Sequence, residues 1–304
     1  MRASIIIPTY ESQETVAATL HSLRQQTERD FETILVDSGE TDAVQQIVKE
    51  FPEVRYSRAP ERLYPHAARN VGVQIAQGDL FIFTDPDIVA APEWLEKLLR
   101  AYEQRREPIV GAVASLQRDW MTLGIHLAKF DSWLPGGQPR AVAIAPTVNF
   151  LCSREVFEET SGFAGQEMLG DTLFSWELEQ LGHSPYFEPN AIVHHDHRNT
   201  TFGGLIRERY VRGGDFGRLR ASLGKWGTMK ILAVMAASIF PFRLVKLAGR
   251  ALRHSINAGC TLDGFRTMPI VICGHAAWLA GEISQYFRLL RAPATKKEEL
   301  LCAS

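Results

Sequence analysis

The sequence predicts an α/β fold: a doubly wound, mostly parallel sheet followed by an apolar, basic helical appendage at the C-terminal end. Three observations lead there. Through the first hundred or so residues, short apolar runs alternate with segments of helical periodicity, the pattern of parallel strands joined by crossover helices. The run Leu80–Phe83 delivers Asp85-Pro86-Asp87 at its end, so two carboxylates stand at a strand's exit, where open α/β sheets bind ligands. Beyond residue 197 the chain turns basic and apolar.

Taken in order, Ser4–Ile7 is the first strand, and Glu14–Gln26 carries Val16, Leu20 and Leu23 at helical spacing. Thr33–Val36 is the second strand and ends at Asp37; Thr41-Asp42 opens a helix through Val44, Ile47 and Val48, and Val54–Arg58 is a short strand. His66–Ala76 is a helix, with Gly78 supplying a left-handed cap. Leu80–Thr84 is the strand that carries the aspartates, and Pro92–Arg105 is a helix with proline in its first turn. Pro108–Leu116 and Ala141–Phe150 have strand character. Between them, Trp120-Met121-Thr122-Leu123 and Trp133-Leu134-Pro135-Gly136-Gly137 fit a flexible binding loop and an irregular core insertion equally well. Glu155–Thr160 and Thr172–Leu181 are helices, the second ended by Gly182. Asn190–His195 is the last strand, with His194, His195, Asp196 and His197 at its end.

The composition, 304 residues with 45% hydrophobic and 22% charged, is that of a globular domain with an appendage. Cys152, Cys260, Cys273 and Cys302 lack C-x-x-C spacing, which argues against a zinc site or disulfide framework and fits a reducing compartment. Met1–Pro8 is too short and too soon broken for a signal peptide. Residues 1–197 carry 16 Lys+Arg against 29 Asp+Glu, whereas residues 198–253 carry 12 against 2. An acidic head before a basic, apolar segment suggests a soluble domain resting on an anionic membrane surface. Nucleic acid is disfavoured, because the basic stretch runs into apolar residues rather than exposed base-stacking aromatics. The expected divisions are residues 1–200, a basic linker helix over 201–227 and a membrane-associating helical region over 228–304. The apolar core Ile231–Phe242 spans about 18 Å as a helix, short of the roughly 30 Å of hydrocarbon. Met268–Phe287 is long enough but contains His275 and Glu282, and an acid in mid-bilayer costs about 2.5–3.5 kcal/mol. Interfacial or re-entrant helices are therefore expected, with a helical pair packed on the sheet domain as the alternative.

Five blocks in order resemble the inverting family 2 glycosyltransferases of the GT-A fold: Ser4–Tyr10, Ile34–Asp42, Ala68-Arg69-Asn70-Val71-Gly72, Asp85-Pro86-Asp87 and Gly162-Phe163 to Gly170-Asp171. The resemblance covers about residues 3–200 and implies a Rossmann-like sheet and a nucleotide-sugar donor. It places Pro8, Thr9, Tyr10, Glu11, Asp37, Arg69, Asn70 and Asp85 around that donor. Tyr10 offers a face for a base to stack on, or packs on its neighbours. Asp37 accepts a base N–H, which favours uracil and hence a UDP-linked sugar, or caps the following turn. Arg69 is implied to lie near the diphosphate, where guanidinium geometry suits phosphate oxygens. Asp85 and Asp87 are implied to hold Mg²⁺ or Mn²⁺, and His195 to complete that site or touch the diphosphate; a solvated loop of acids and histidines is the alternative. Asp171 matches the family's general base, although as a residue type it also suits a helix N-cap. Two departures stand out: the family's paired acid before the base is Gly170, and its arginine on the next helix is replaced by Trp176-Glu177. The implied acceptor is a hydroxyl of a glycan or lipid-linked molecule, and the apolar, basic appendage adds the expectation that the protein sits at the cytoplasmic face of the cell's inner membrane, peripheral or integral through the C-terminal helices.

Two other enzymes fit less well. A sugar-1-phosphate nucleotidyltransferase wants a Gly-rich basic loop after the first strand, and a dehydrogenase wants G-x-G-x-x-G. The chain has Pro8-Thr9-Tyr10-Glu11-Ser12 there. A catalytically silent scaffold is the alternative from another class.

Overall fold

In the computed structural model, residues 2–164, 169–197, 200–239 and 241–291 are described. The chain forms two compact units, Met1–Leu116 with Trp133–Asp196, and Gln117–Ser132 with His197–Ser304.

The first unit is a nine-stranded sheet with helices. Strands β1 (Ala3–Thr9), β2 (Phe31–Asp37), β3 (Val54–Arg58) and β4 (Leu80–Thr84) form a parallel set in the order β3-β2-β1-β4. Because β1 and β4 are buried along their whole length, they are apolar without alternation. Parallel register brings Thr9 opposite Asp37 and Asp37 opposite Arg58, which gathers their side chains at one end of the sheet. Helices α1 (Val16–Arg24), α2 (Ala43–Val48), α3 (Pro65–Ile75) and α4 (Trp94–Arg105) make the crossovers, as periodicity predicts. Gly72 has no room for a side chain, since a Cβ there would lie 2.4 Å from Ile6 Cγ2. Helix α3 therefore lies directly on β1.

The sheet continues as β8-β6-β9-β5, from β5 (Ile88–Ala90), β6 (Ile109–Ser115), β8 (Asn149–Ser153) and β9 (Tyr186–His195), while β7 (Arg140–Ala141) pairs with β9. This half mixes antiparallel ladders with the parallel β6–β9 pair. Asn149 locks it together. Its amide donates to Ala112 O (2.8 Å) and Ala191 O (3.0 Å) and accepts from Trp94 Nε1 (2.8 Å) beside the register shift in β9. A phenylalanine core including Phe81, Phe83, Phe150, Phe157, Phe163 and Phe174 packs beneath α6 (Arg154–Glu158) and α7 (Gly170–Gln180), with Phe163 and Phe174 only 4.5 Å apart.

Three local expectations are corrected. Gly78 is not a left-handed cap: α3 ends in an extended Ala76, and Gly78 is small because a Cβ would come within 2.7 Å of the Ala3 backbone. Ala141–Phe150 is not one strand. Residues 142–148 are irregular, consistent with Pro146 lacking a donor and with the Ala145 N–H bonding to Ser175 Oγ at 2.9 Å. Trp120–Phe130 is neither loop nor irregular insertion but helix α5, capped by Asp119 accepting the Thr122 N–H at 3.0 Å. Gly182 does end α7 with φ +91°.

The second unit is helical: α5, α8 (Phe202–Leu223), α9 (Thr228–Ile239), α10 (Pro241–Asn257) and α11 (Thr261–Arg291). Helices α8 and α11 touch backbone to backbone. A Cβ on Gly213 would lie 2.1 Å from Trp278 O, and one on Gly281 would lie 1.9 Å from Tyr210 O. Glu282 is fully buried but not alone, since it meets Arg220 (3.2 Å), Arg243 (2.8 Å) and the Tyr286 hydroxyl (2.7 Å). Among the described residues no single helix is long and apolar enough to cross a membrane. The pair Thr228–Ser238 and Pro241–Asn257, bent by 62°, passes that test by length and composition.

Candidate active site

The parallel strands end where the predicted residues gather. Asp37, at the tip of β2, is fully buried and holds four donors. Thr9 Oγ1 and the Gly39 N–H reach Oδ1 at 3.0 Å each, and Tyr56 Oη (2.7 Å) and Arg58 Nη1 (3.2 Å) reach Oδ2. A base N–H meeting Asp37 must therefore share or displace one of them. Burial raises the Tyr56 phenol above its usual value, so it remains a donor. Tyr10 lies half-buried under the guanidinium of Arg62, 4.2 Å from ring centroid, and its hydroxyl donates to Glu40 at 3.1 Å. Glu11, at φ +50°, accepts the Glu40 N–H at 2.8 Å, and Pro8 is buried in β1.

Helix α3 brings three residues to the site from one stretch of sequence. Arg69, 2% exposed, ion-pairs with Asp85. Burial lowers its pKa, opposed first by Asp85 and then by Asp171, and a guanidinium keeps its charge in such company. Its Nε is buried without a hydrogen-bond partner. Asn70 spends its amide on the Phe163 backbone, donating to the carbonyl at 2.8 Å and accepting the N–H at 3.0 Å. His66 rests against Phe163, with its Nδ1 3.5 Å from Arg69 Nη1.

Asp85 follows β4, Asp87 precedes β5 and His195 ends β9. Each offers a ligand atom, all within 4.8 Å of one another, with His195 Nε2 3.6 Å from Asp87 Oδ1. Two carboxylates and an imidazole are a donor set suited to a divalent cation such as Mn²⁺. Asp171 sits in the first turn of α7, after the N-cap Leu169, so it is not the cap. Its Oδ1 accepts the Thr172 N–H at 2.8 Å. Glu177, in place of the arginine expected on α7, accepts from the Ser161 N–H and Oγ (2.9 and 2.7 Å) and so ties Ser161 to α7.

Sequence reasoning passed over Tyr56, Arg58, Arg62 and His66. The alternation Tyr56-x-Arg58 at the end of a short strand was the available signal for the first two.

The sequence model described as glycosyl transferase family 2 matches residues 4–160. The chain belongs to this family. As a family 2 glycosyltransferase it resembles the O-antigen chain rhamnosyltransferase RfbN of Salmonella typhimurium, with 25% identity over 73% of each chain. It also resembles the uncharacterized glycosyltransferase YfnE of Bacillus subtilis, with 34% identity over 36% of this chain and 29% of that one. The matched region is thus under a third of YfnE's length. In fold it resembles the mannosyltransferase PcManGT from Pyrobaculum calidifontis in complex with GDP-Man and Mn²⁺, with TM-score 0.54 and 19% identity over 88% and 85% of the two chains. It likewise resembles S. aureus TarS 1-349 in complex with UDP-GlcNAc, with TM-score 0.55 and 15% identity over 88% and 90%.

Proposed function

We propose that this glycosyltransferase moves a sugar, with inversion, from a UDP-linked donor to a hydroxyl of a lipid-linked or polysaccharide acceptor, in a metal-dependent reaction with Asp171 as general base. The observation that carries the reading is the meeting of Asp85, Asp87 and His195 beside the buried Arg69 at the carboxyl ends of the parallel strands. Family membership and neighbours whose structures hold nucleotide sugars support it.

Asp85, Asp87 and His195 would hold Mg²⁺ or Mn²⁺, which would supply Lewis-acid stabilisation of negative charge on the diphosphate. Arg69 adds a fixed cation that is desolvated and needs no reorganisation. Asp37, Tyr56 and Arg58 line the base-binding end, and Tyr10 with Arg62 offers the stacking surface. Asp171 takes the proton of the acceptor hydroxyl as it attacks the anomeric carbon from the face opposite the phosphate, which is how a single carboxylate produces inversion. Asp171 lies near enough to Arg69 for the two charges to attract.

Calorimetric titration of UDP and GDP, with and without Mn²⁺, into wild type and Asp87→Ala tests the reading. Metal-dependent UDP binding that the substitution abolishes supports it. Binding of GDP alone would overturn the base assignment, and binding of neither would overturn the donor site.

A further inference from the structure

Exposed apolar side chains are unevenly shared between the two units. Among the described residues the first unit exposes Tyr64, Leu116 and Leu181 as large hydrophobics; all the others belong to the second unit. The most exposed include Met229, Phe242, Val245, Leu262 and Phe265, between 58% and 79% accessible. Helix α10 arranges its share in a line. Phe242, Val245, Gly249 and Ile256 are exposed and recur at three-, four- and seven-residue intervals, so they occupy one face about 21 Å long. Leu262 and Phe265 follow in the first turn and a half of α11.

Three acids of this unit take up most of its partnered cations: Asp131 meets Arg250, Glu208 meets Lys129 and Arg212, and Glu282 meets Arg220 and Arg243. On α10 this leaves Lys246 and Arg253 exposed, on the same face as the apolar line and without an ion-pair partner among the described residues. An apolar stripe flanked by unneutralised cations is the surface of a helix that lies in the plane of an anionic bilayer. A spanning helix would have no use for Lys246 or Arg253 along its outer face.

We propose that the exposed face of α10, through Phe242, Val245 and Ile256 with Lys246 and Arg253, docks this protein on an anionic lipid surface without crossing it. This docking is independent of the transfer chemistry.

Flotation of the full chain with vesicles tests it, using phosphatidylcholine alone and phosphatidylcholine in which a third of the lipid is phosphatidylglycerol. Wild type is expected to float with the anionic vesicles, to stay behind with neutral ones, and to be released by high salt and by alkaline carbonate. Phe242→Ser with Val245→Ser should weaken partitioning at least about tenfold, because two large apolar side chains leave the interface. Lys246→Glu with Arg253→Glu should abolish the preference for anionic lipid. Both variants should keep the wild-type far-ultraviolet spectrum and nucleotide affinity, so that loss of docking is read apart from misfolding or failure of the donor site. Absence of vesicle binding by wild type, binding indifferent to these substitutions, or resistance to carbonate would overturn the proposal. So would light scattering that shows a dimer which the serine substitutions convert to monomer, since the face would then belong to a second copy.

Discussion

The imidazole of His66 fills the space that a side chain at Gly170 would need: a Cβ on Gly170 would lie 2.6 Å from His66 Cδ2 and 2.7 Å from Cγ. The missing first acid of the family's pair therefore has a physical counterpart on α3. Gly170→Ala is expected to destabilise the fold by about 1–3 kcal/mol through overpacking. With His66→Ala added, the two effects should be non-additive by more than about 0.5 kcal/mol in a double-mutant cycle followed by urea unfolding. Strict additivity would show that the contact carries no weight.

Asp171→Asn should lower kcat about a hundredfold or more, the scale of a lost general base, while nucleotide affinity stays within a few-fold. The assay is transfer to a simple acceptor alongside calorimetry. An unchanged kcat would remove Asp171 from the chemistry.

Asp37 serves the fold as well as the proposed site. Asp37→Asn takes the charge from an acceptor of four donors, and charge-assisted bonds contribute about 1.5–3 kcal/mol each. A loss of roughly 2 kcal/mol or more is expected in chemical unfolding, together with weaker nucleotide binding. Full stability with altered base preference alone would mean that Asp37 reads the base and does nothing structural.

His275, on α11, is 1% exposed, and neither ring nitrogen has a hydrogen-bond partner among the described residues. Burial, followed by the charge of Arg209, pushes its pKa down from 6.5 to about 4. Above pH 6.5 the ring is neutral in both folded and unfolded chains and contributes no pH dependence. As pH falls from 6.5 to 4 the unfolded chain gains a proton that the folded chain refuses, so stability drops by about 3 kcal/mol and then levels off. His275→Leu should remove that part of the slope when unfolding is compared at pH 7.5 and 4.5. An equal slope in both proteins would sink the assignment.

The parallel half of the sheet was legible because β1, β2 and β4 are buried on both faces and each carries an unbroken apolar core, Ile5–Ile7, Ile34–Val36 and Leu80–Phe83, with Gly72 and Pro65 marking α3. The Asp85-Pro86-Asp87 and Ala68–Gly72 blocks were legible because their chemistry is local in sequence. What escaped depends on distant partners. Helix α5 is held by Asp119 and by Gly124 set against Ile270, and no window around Trp120 contains Ile270. Strand β5 is three residues long and exists through its pairing with β9. Tyr56 and Arg58 matter because they meet Asp37, and His66 because it meets Gly170 more than a hundred residues later.

Asn70 ties α3 to the Phe163 backbone through two hydrogen bonds across 93 positions of sequence. Helix α3 and the corner at Phe163 are therefore coupled in the fold. A chimera that imports the segment around Phe163 from a relative, yet keeps its own α3, must recreate that amide clasp or lose the contact between the two. The unit to exchange is the pair, α3 with the Gly162–Phe163 corner.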